Sequence, residues 1–301
     1  MAAEPRVGLA LGSGGARGWC HIGVIARLAE LGVRPVAVAG CSMGALVGAA
    51  WAAGCLDRLE VWARDLTLPR LLRLLDLGPA GSGPVSGREI FNVLSGIGLP
   101  ERIEDLPIPF AAVATDMATG REIWLREGPL VQAVRASVSI PGVFSPYRLN
   151  DRWMLDGGLT NPVPVSLARA LGAEIVIASN PNGRLDGLLW HADPGGRASW
   201  RKLLAGLPEG MRAAVDPLVG EASAAPRSPA YIDVVNTAID VMTEHIRRSR
   251  LAGDPPQVLL SAHLPQLSVL DLHRAAVAIA EGRRMVDAEA RAIAALAAPT
   301  M

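Results

Sequence analysis

Val36-Ala37-Val38-Ala39-Gly40-Cys41-Ser42-Met43-Gly44-Ala45-Leu46-Val47-Gly48 is the stretch that decides the fold. Val36 to Ala39 is a continuous apolar run, the pattern of a strand buried on both faces of a parallel sheet. Residues from about Met43 to Ala53 read as an Ala/Gly-rich helix stopped near Gly54. Between them, Gly40-x-Ser42-x-Gly44 is a turn whose small residues let the backbone bend tightly enough to lift a serine hydroxyl off the sheet. Ser42 would then sit at a helix N-terminus, where the macrodipole favours negative charge. A glycine-rich turn with an incidental serine has the same local pattern, so the serine needs partners elsewhere.

Working outward, Val7 to Leu11 is a short apolar run ending in glycines, and a helix follows with Ile22, Ile25, Leu28 and Leu31 on one face and Gly32 as its C-terminal cap. Strand, glycine loop, helix, strand, sharp turn, helix is the rhythm that builds a parallel α/β sheet. Further strands are expected at Phe110 to Thr115, Trp153 to Leu155, Ile175 to Ser179 and Val258 to Ser261. Helices are expected at Leu130 to Ser137, Val163 to Leu171, about Tyr231 to Leu251 and about Leu270 to Ala297. Residues 181–230, rich in Gly, Pro and Ala, read as a loop or lid.

The 301 residues allow two domains or one large α/β unit, and 50% apolar against 19% charged residues is a globular composition. Lys plus Arg and Asp plus Glu number 29 each, so no global field draws the chain to nucleic acid, and no nucleic-acid partner is expected. Three cysteines, Cys20, Cys41 and Cys55, leave at least one unpaired and fit no zinc spacing, which points to a reducing cytosol and to no metal or cofactor. The residues before the first glycine run are too short and wrongly flanked for a signal peptide. Pro35 to Leu56 carries no charge and is long enough to span a bilayer, but the Gly40–Gly44 turn splits it, and a buried strand, turn and helix explain it better.

The first glycine loop, Gly12-Ser13-Gly14-Gly15-Ala16-Arg17-Gly18, fails as a dinucleotide fingerprint because Arg17 stands at the third glycine position. It fails as a phosphate loop because Lys202 is the chain's only lysine. What remains is either a packing turn or a run of backbone N–H groups able to stabilise an oxyanion near Ser42. None of the five histidines, His21, His191, His245, His263 and His273, has a motif around it. A carboxylate has the better case as the proton acceptor. Asp156-Gly157-Gly158 follows the apolar Trp153-Met154-Leu155, which places an acid at a strand end. Desolvation would raise its basicity.

In this order the residues resemble the patatin-like phospholipase family, in particular its small bacterial members. Gly14-Gly15-Ala16-Arg17-Gly18 resembles the family's oxyanion loop, Gly40-Cys41-Ser42-Met43-Gly44 its nucleophile elbow and Asp156-Gly157-Gly158 its Asp-Gly-Gly/Ala block. Ala136-Ser137-Val138-Ser139-Ile140-Pro141-Gly142-Val143-Phe144 resembles a fourth block that packs near the site. Weaker agreements are Ala114-Thr115-Asp116, Thr119-Gly120 and Asn161-Pro162-Val163-Pro164. The match runs from about Arg6 to Asn180 and resumes loosely from Asp233 to Met285. Ser13, where many members carry glycine, and Cys41, where threonine is common, depart from it.

The resemblance implies a three-layer α/β/α sandwich with a mainly parallel central sheet. It would be a single domain over residues 1–301, with a motif-bearing core at 6–180, the loop or lid at 181–230 and a helical C-terminal part at 231–297. It also implies a Ser–Asp dyad with Ser42 as nucleophile and Asp156 as general base, and an oxyanion hole from Gly14, Gly15, Ala16, Arg17 and Gly18. The expected activity is hydrolysis of lipid acyl esters through an acyl-enzyme. The alternatives are an acyltransferase or thioesterase using the same dyad, or a non-catalytic regulatory protein of the same fold.

From Leu66 to Leu77 the sequence is leucine-rich and amphipathic, with Leu68, Leu71, Leu72 and Leu75 sharing a helical face and Arg64, Arg70 and Arg73 nearby. That face could dock on a membrane, and packing on the core is the commoner use of such a helix. The expected location is the cytoplasm, with room for peripheral contact at the inner membrane surface. Arg247, Arg248 and Arg250 could grip phosphate, but favourable placement at a helix C-terminus suffices to explain them.

Overall fold

A computed structural model of the chain describes residues 5–67, 94–141, 143–184 and 231–296, together with residues 70 and 92. Among the described residues eight strands form one sheet: β1 (Val7–Leu11), β2 (Ala37–Cys41), β3 (Phe110–Asp116), β4 (Glu122–Leu125), β5 (Tyr147–Leu149), β6 (Arg152–Asp156), β7 (Ile175–Arg184) and β8 (Val258–His263). Their order is β5-β6-β3-β2-β1-β7-β8, with β4 also paired to β3. The run from β3 to β8 is parallel, and β4, β5 and β6 add antiparallel pairs at one end.

The helices among the described residues are α1 (Cys20–Glu30), α2 (Met43–Ala52), α3 (Leu56–Arg64), α4 (Leu130–Ser137), α5 (Val165–Ala170), α6 (Tyr231–Gly253), α7 (Ala275–Ala288) and α8 (Ala290–Leu296). Side chains alternate across the sheet as the pleat demands. Leu9, Leu11, Val38, Phe110, Ala112 and Ala114 face a large core shared with α1, α2 and α7. Ala10, Ala39, Cys41, Ala111 and Val113 face a smaller one filled from α5 by Val165, Leu167 and Ala168. Both faces are covered, so the central strands read as continuous apolar runs, and the chain is an α/β/α sandwich around a mainly parallel sheet.

On the larger face α1 and α7 meet through glycine. A Cβ on Gly23 would lie 1.9 Å from the Ile279 carbonyl oxygen, and one on Gly282 the same distance from that of Cys20. The two helices therefore approach backbone to backbone, which only residues without a side chain allow.

Several boundaries differ from the sequence reading. Leu31 is 40% exposed, because α1 ends at Glu30 and Leu31 is already its C-cap; Gly32 follows at φ 80° as expected. The second strand runs on to Cys41, leaving Val36 outside it, so it delivers Ser42 directly. Residues 181–184, expected in the loop, extend β7 past a register shift, after which Arg184 pairs with His263 of β8. The expected helix over Leu270 to Ala297 is broken into a 3-10 turn at Leu272–Arg274, α7 and α8. Residues 185–230 and the face of Leu68, Leu71, Leu72 and Leu75 lie outside the described residues. Among the described residues no helix is long and apolar enough to cross a membrane; the uncharged stretch from Pro35 to Leu56 holds β2 and α2 as the sequence implied.

Candidate active site

The site is built on β3. Val113 pairs with both Cys41 and Trp124, and Ala114 with both Ile123 and Asp156. A strand has two edges; β4 occupies one at both positions, so Cys41 and Asp156 share the other. β2 runs parallel to β3 and β6 antiparallel, so their ends meet head to head there. Ser42, one residue past β2, and Asp156, the last residue of β6, are thereby brought together from 114 positions apart in sequence.

Ser42 sits at φ 55° and ψ −121°, a left-handed conformation that costs a non-glycine residue roughly 1–3 kcal/mol and persists only where the surroundings enforce it. The enforcement comes from both glycines. A Cβ on Gly40 would lie 2.4 Å from Ala45 Cα, and one on Gly44 would lie 2.1 Å from the Leu11 carbonyl oxygen. The elbow is thus pressed against both its own helix and the neighbouring strand. The Ser42 N–H donates to Ser137 Oγ at 2.9 Å, fixing the turn from α4.

Ser42 Oγ donates to Asp156 Oδ2 at 2.6 Å, and the other carboxylate oxygen, Oδ1, accepts the Gly158 N–H at 2.7 Å. Ser42 is 2% exposed and Asp156 5%. Burial pushes the Asp156 carboxyl up to about 6, against the opposing pull of its bonds from Ser42 and Gly158. The backbone of Asp156 is pinned on both sides: its N–H donates to the Ser139 carbonyl at 2.9 Å, and its carbonyl accepts from Thr115 Oγ1 at 2.9 Å. A carboxylate so held has one orientation and one hydroxyl to take a proton from.

The glycine loop lies between the end of β1 and α1, and its amides divide into two sets. Gly12 N–H donates to the Ser179 carbonyl, Ser13 N–H to Pro162, Ala16 N–H to Val269 and Arg17 N–H to Gly14. Ala16 and Arg17 therefore spend their amides on the protein, whereas no backbone acceptor is recorded for those of Gly14 and Gly15 among the described residues. The Arg17 side chain acts as an anchor, with Nε on the Leu267 carbonyl at 2.8 Å and Nη1 on Asn182 Oδ1 at 2.8 Å. Gly18 contributes by its absence of side chain, because a Cβ there would meet Met43 Cβ at 2.5 Å.

Of the two departures noted in the sequence, burial pushes the Cys41 thiol well up, with Asp156 and Glu122 adding to the rise and the Ser13 hydroxyl opposing it. Of the other blocks, Asn161 Nδ2 donates to Glu122 Oε1 at 2.7 Å, and Glu122 also accepts from Arg250 of α6 at 2.6 Å. Arg250 is thereby engaged in the fold, and Arg247 and Arg248 bond Glu244. His21, at the start of α1, commits both ring nitrogens to Gly12 and Ser179. Among the described residues no cluster of three or more His, Cys, Asp or Glu could hold a metal ion.

Ser137, Ser139 and Thr115, which hold the backbones of Ser42 and Asp156, carry no chemical signature of their own. Only their membership of blocks that resemble a family marks them in the sequence.

The chain matches the family model described as "Patatin-like phospholipase" over residues 9–169, a span that contains the loop, the elbow, the α4 block and Asp156. It is 36% identical over 325 aligned positions to an uncharacterised NTE family protein of Mycobacterium tuberculosis, with 94% of this chain and 90% of that protein covered. It is 34% identical to rat patatin-like phospholipase domain-containing protein 7, and 35% identical to the Drosophila melanogaster neuropathy target esterase sws. Those alignments cover 59% and 57% of this chain but only 14% and 12% of the two larger proteins. A matched family model across the site-bearing half, and a relative aligned over nearly the whole length, lead to one assignment: the chain belongs to the patatin-like phospholipase family.

Proposed function

We propose that the protein is a serine lipid acyl hydrolase that works through Ser42 and Asp156 without a histidine. The observation that carries this reading is the 2.6 Å bond from Ser42 Oγ to a buried carboxylate whose other oxygen is held by the Gly158 N–H and whose backbone is pinned on both sides. Family membership supports lipid esters as the substrate class.

In acylation Ser42 Oγ attacks the ester carbonyl carbon as its proton passes to Asp156 Oδ2. The carbonyl oxygen gains negative charge and is met by the amides of Gly14 and Gly15. The N-terminus of α2, whose first amides lack intrahelical partners, adds a favourable field. Collapse of the tetrahedral intermediate breaks the ester C–O bond, and Asp156 returns the proton to the leaving alcohol. Water then adds to the acyl-enzyme, giving its proton to Asp156, and the fatty acid leaves as Ser42 is restored. An aspartate is ordinarily too weak a base for a hydroxyl. Here burial strengthens it, and the amide pair lowers the basicity it needs.

The test is release of fatty acid from phospholipid, lysophospholipid and simple acyl esters by the purified protein and by Ser42→Ala. Turnover of at least one lipid ester, abolished in the variant, is expected. Undiminished hydrolysis by a folded Ser42→Ala protein would overturn the reading. Product analysis with an added alcohol acceptor separates hydrolysis from acyl transfer.

A further inference from the structure

His21 is a fully buried histidine that the proposed reaction does not use, and it stands at the base of the glycine loop. Its Nε2 lies 2.8 Å from the Gly12 carbonyl oxygen and its Nδ1 3.0 Å from Ser179 Oγ. A carbonyl oxygen can only accept, so Nε2 carries the hydrogen; burial pushes the imidazole down to about 4, which keeps the ring neutral, and Nδ1 then accepts from the Ser179 hydroxyl. The Gly12 N–H in turn donates to the Ser179 carbonyl at 2.9 Å, which closes a ring of three residues across β1, α1 and β7. Gly18, three residues before it, ends the loop beside the same imidazole, and a Cβ added there would lie 3.8 Å from His21 Cδ2. It also bears on the elbow. The Gly12 carbonyl it holds would lie 2.8 Å from a Cβ on Gly44.

One side chain is therefore hydrogen-bonded to one end of a loop, and lies beside the other, while the middle of that loop carries the amides of Gly14 and Gly15. A glycine-rich segment is the least self-supporting backbone available, and those two amides stabilise an oxyanion only if they are held in place before it forms. We propose that His21 is a positioning residue, a neutral imidazole that locks Gly12 to Ser179 and so sets the Gly14 and Gly15 amides for the transition state. The proposal rests on the hydrolase reading above and adds a residue to it. His21 touches no substrate and exchanges no proton.

A lock of this kind acts on the transition state more than on substrate binding, which separates it from ordinary packing. His21→Leu removes both hydrogen bonds, and His21→Gln keeps an amide donor at the reach of Nε2. Both variants are assayed with p-nitrophenyl butyrate, with rates expressed per active site titrated by a fluorophosphonate, so that any unfolded fraction drops out. Each is also tested for binding of an alkyl trifluoromethyl ketone, whose tetrahedral adduct places an oxyanion in the hole. For His21→Leu, kcat is expected to fall about tenfold or more, less than loss of an oxyanion donor itself, with KM within about twofold. Ketone affinity should weaken by the same factor as kcat/KM, and His21→Gln should recover most of both.

An unchanged kcat per titrated site in His21→Leu, or a loss confined to KM, overturns the proposal, as does a glutamine variant as impaired as leucine. Should His21→Leu fail to fold, Ser179→Ala loosens the imidazole without a large cavity; a lowered kcat at constant KM is expected, and an unchanged kcat overturns the lock. Ser42→Ala distinguishes the two levels. If it is inactive while His21→Leu retains full kcat, only the lock fails; if it is active, the hydrolase reading fails with it.

Discussion

Cys41 and Asp156 occupy successive positions on one edge of β3, opposite Val113 and Ala114, although the strands that carry them run in opposite directions. The separation of Ser42 from its carboxylate is thus set by sheet register, not by a loop. Register is among the stiffest features a fold offers, because a slip of one residue turns every side chain to the other face. That stiffness holds the Asp156 carboxylate against the Ser42 hydroxyl without a third side chain between them.

Activity should depend on the ionisation of Asp156. With the carboxyl raised to about 6, the base is protonated in mild acid, so kcat/KM for fatty-acid release should rise with pH through about 6 and then level off. A pH series in buffers of constant ionic strength measures it. A profile flat from pH 5 to 8 would count against Asp156 as the base.

The same carboxylate should cost the fold stability. Its value in the native state lies above the ordinary 3.8, so between those two values the native state binds a proton that the unfolded chain does not. Stability therefore falls as pH rises through that window, and the charged form is the strained one at neutral pH. Asp156→Asn keeps the shape without the charge and is expected to be inactive yet more stable at pH 8, by about 1–3 kcal/mol, with the gain gone below about pH 4. Thermal melts of both proteins across that range show whether the two curves converge.

Ser137→Ala removes the acceptor of the Ser42 N–H and leaves a buried donor unpaired. The expected cost is about 1–3 kcal/mol in stability, with kcat lowered as the elbow relaxes from its left-handed conformation. Ser137→Thr, which retains a hydroxyl, should recover part of the activity. Denaturant unfolding and steady-state kinetics on the three proteins resolve the two effects.

The contact between α1 and α7 should be intolerant of any side chain. Gly23→Ala places a methyl 1.9 Å from the Ile279 carbonyl oxygen, so the helices must separate, at an expected cost of about 1–3 kcal/mol or more. Gly32→Ala, where a Cβ meets nothing within 4 Å and only the left-handed φ opposes it, should cost about 1 kcal/mol. Equal melting temperatures for the two variants would contradict the packing described.

The parallel core was legible because its strands are buried on both faces, so Val7–Leu11 and Phe110 to Thr115 announce themselves as unbroken apolar runs. α4 matched residue for residue, and the elbow was visible because Gly40 and Gly44 have no tolerated substitute there. The antiparallel β4 and β5 carry half-exposed residues without clear alternation and were missed. The Asn150-Asp151 pair, at φ 48° and 60°, is the one local sign of the β5–β6 hairpin, since both turn residues are left-handed. The glycine loop is legible as a loop, but the use of its amides is not. Composition shows that five residues can approach an anion, but only tertiary partners show that the amides of Ala16 and Arg17 are already taken. Ser137 and Ser139 were invisible as chemistry for the same reason: what they hold lies far off in sequence.

On the proposed mechanism Ser42 is a nucleophile activated by Asp156. That activation is tested most directly by reacting the intact protein with a fluorophosphonate and locating the adduct by peptide mass spectrometry, in wild type, Ser42→Ala and Asp156→Asn. One adduct is expected, on Ser42, absent from Ser42→Ala and formed at a rate at least about 100-fold lower in Asp156→Asn. An adduct on any other residue, or an undiminished labelling rate in Asp156→Asn, would contradict it.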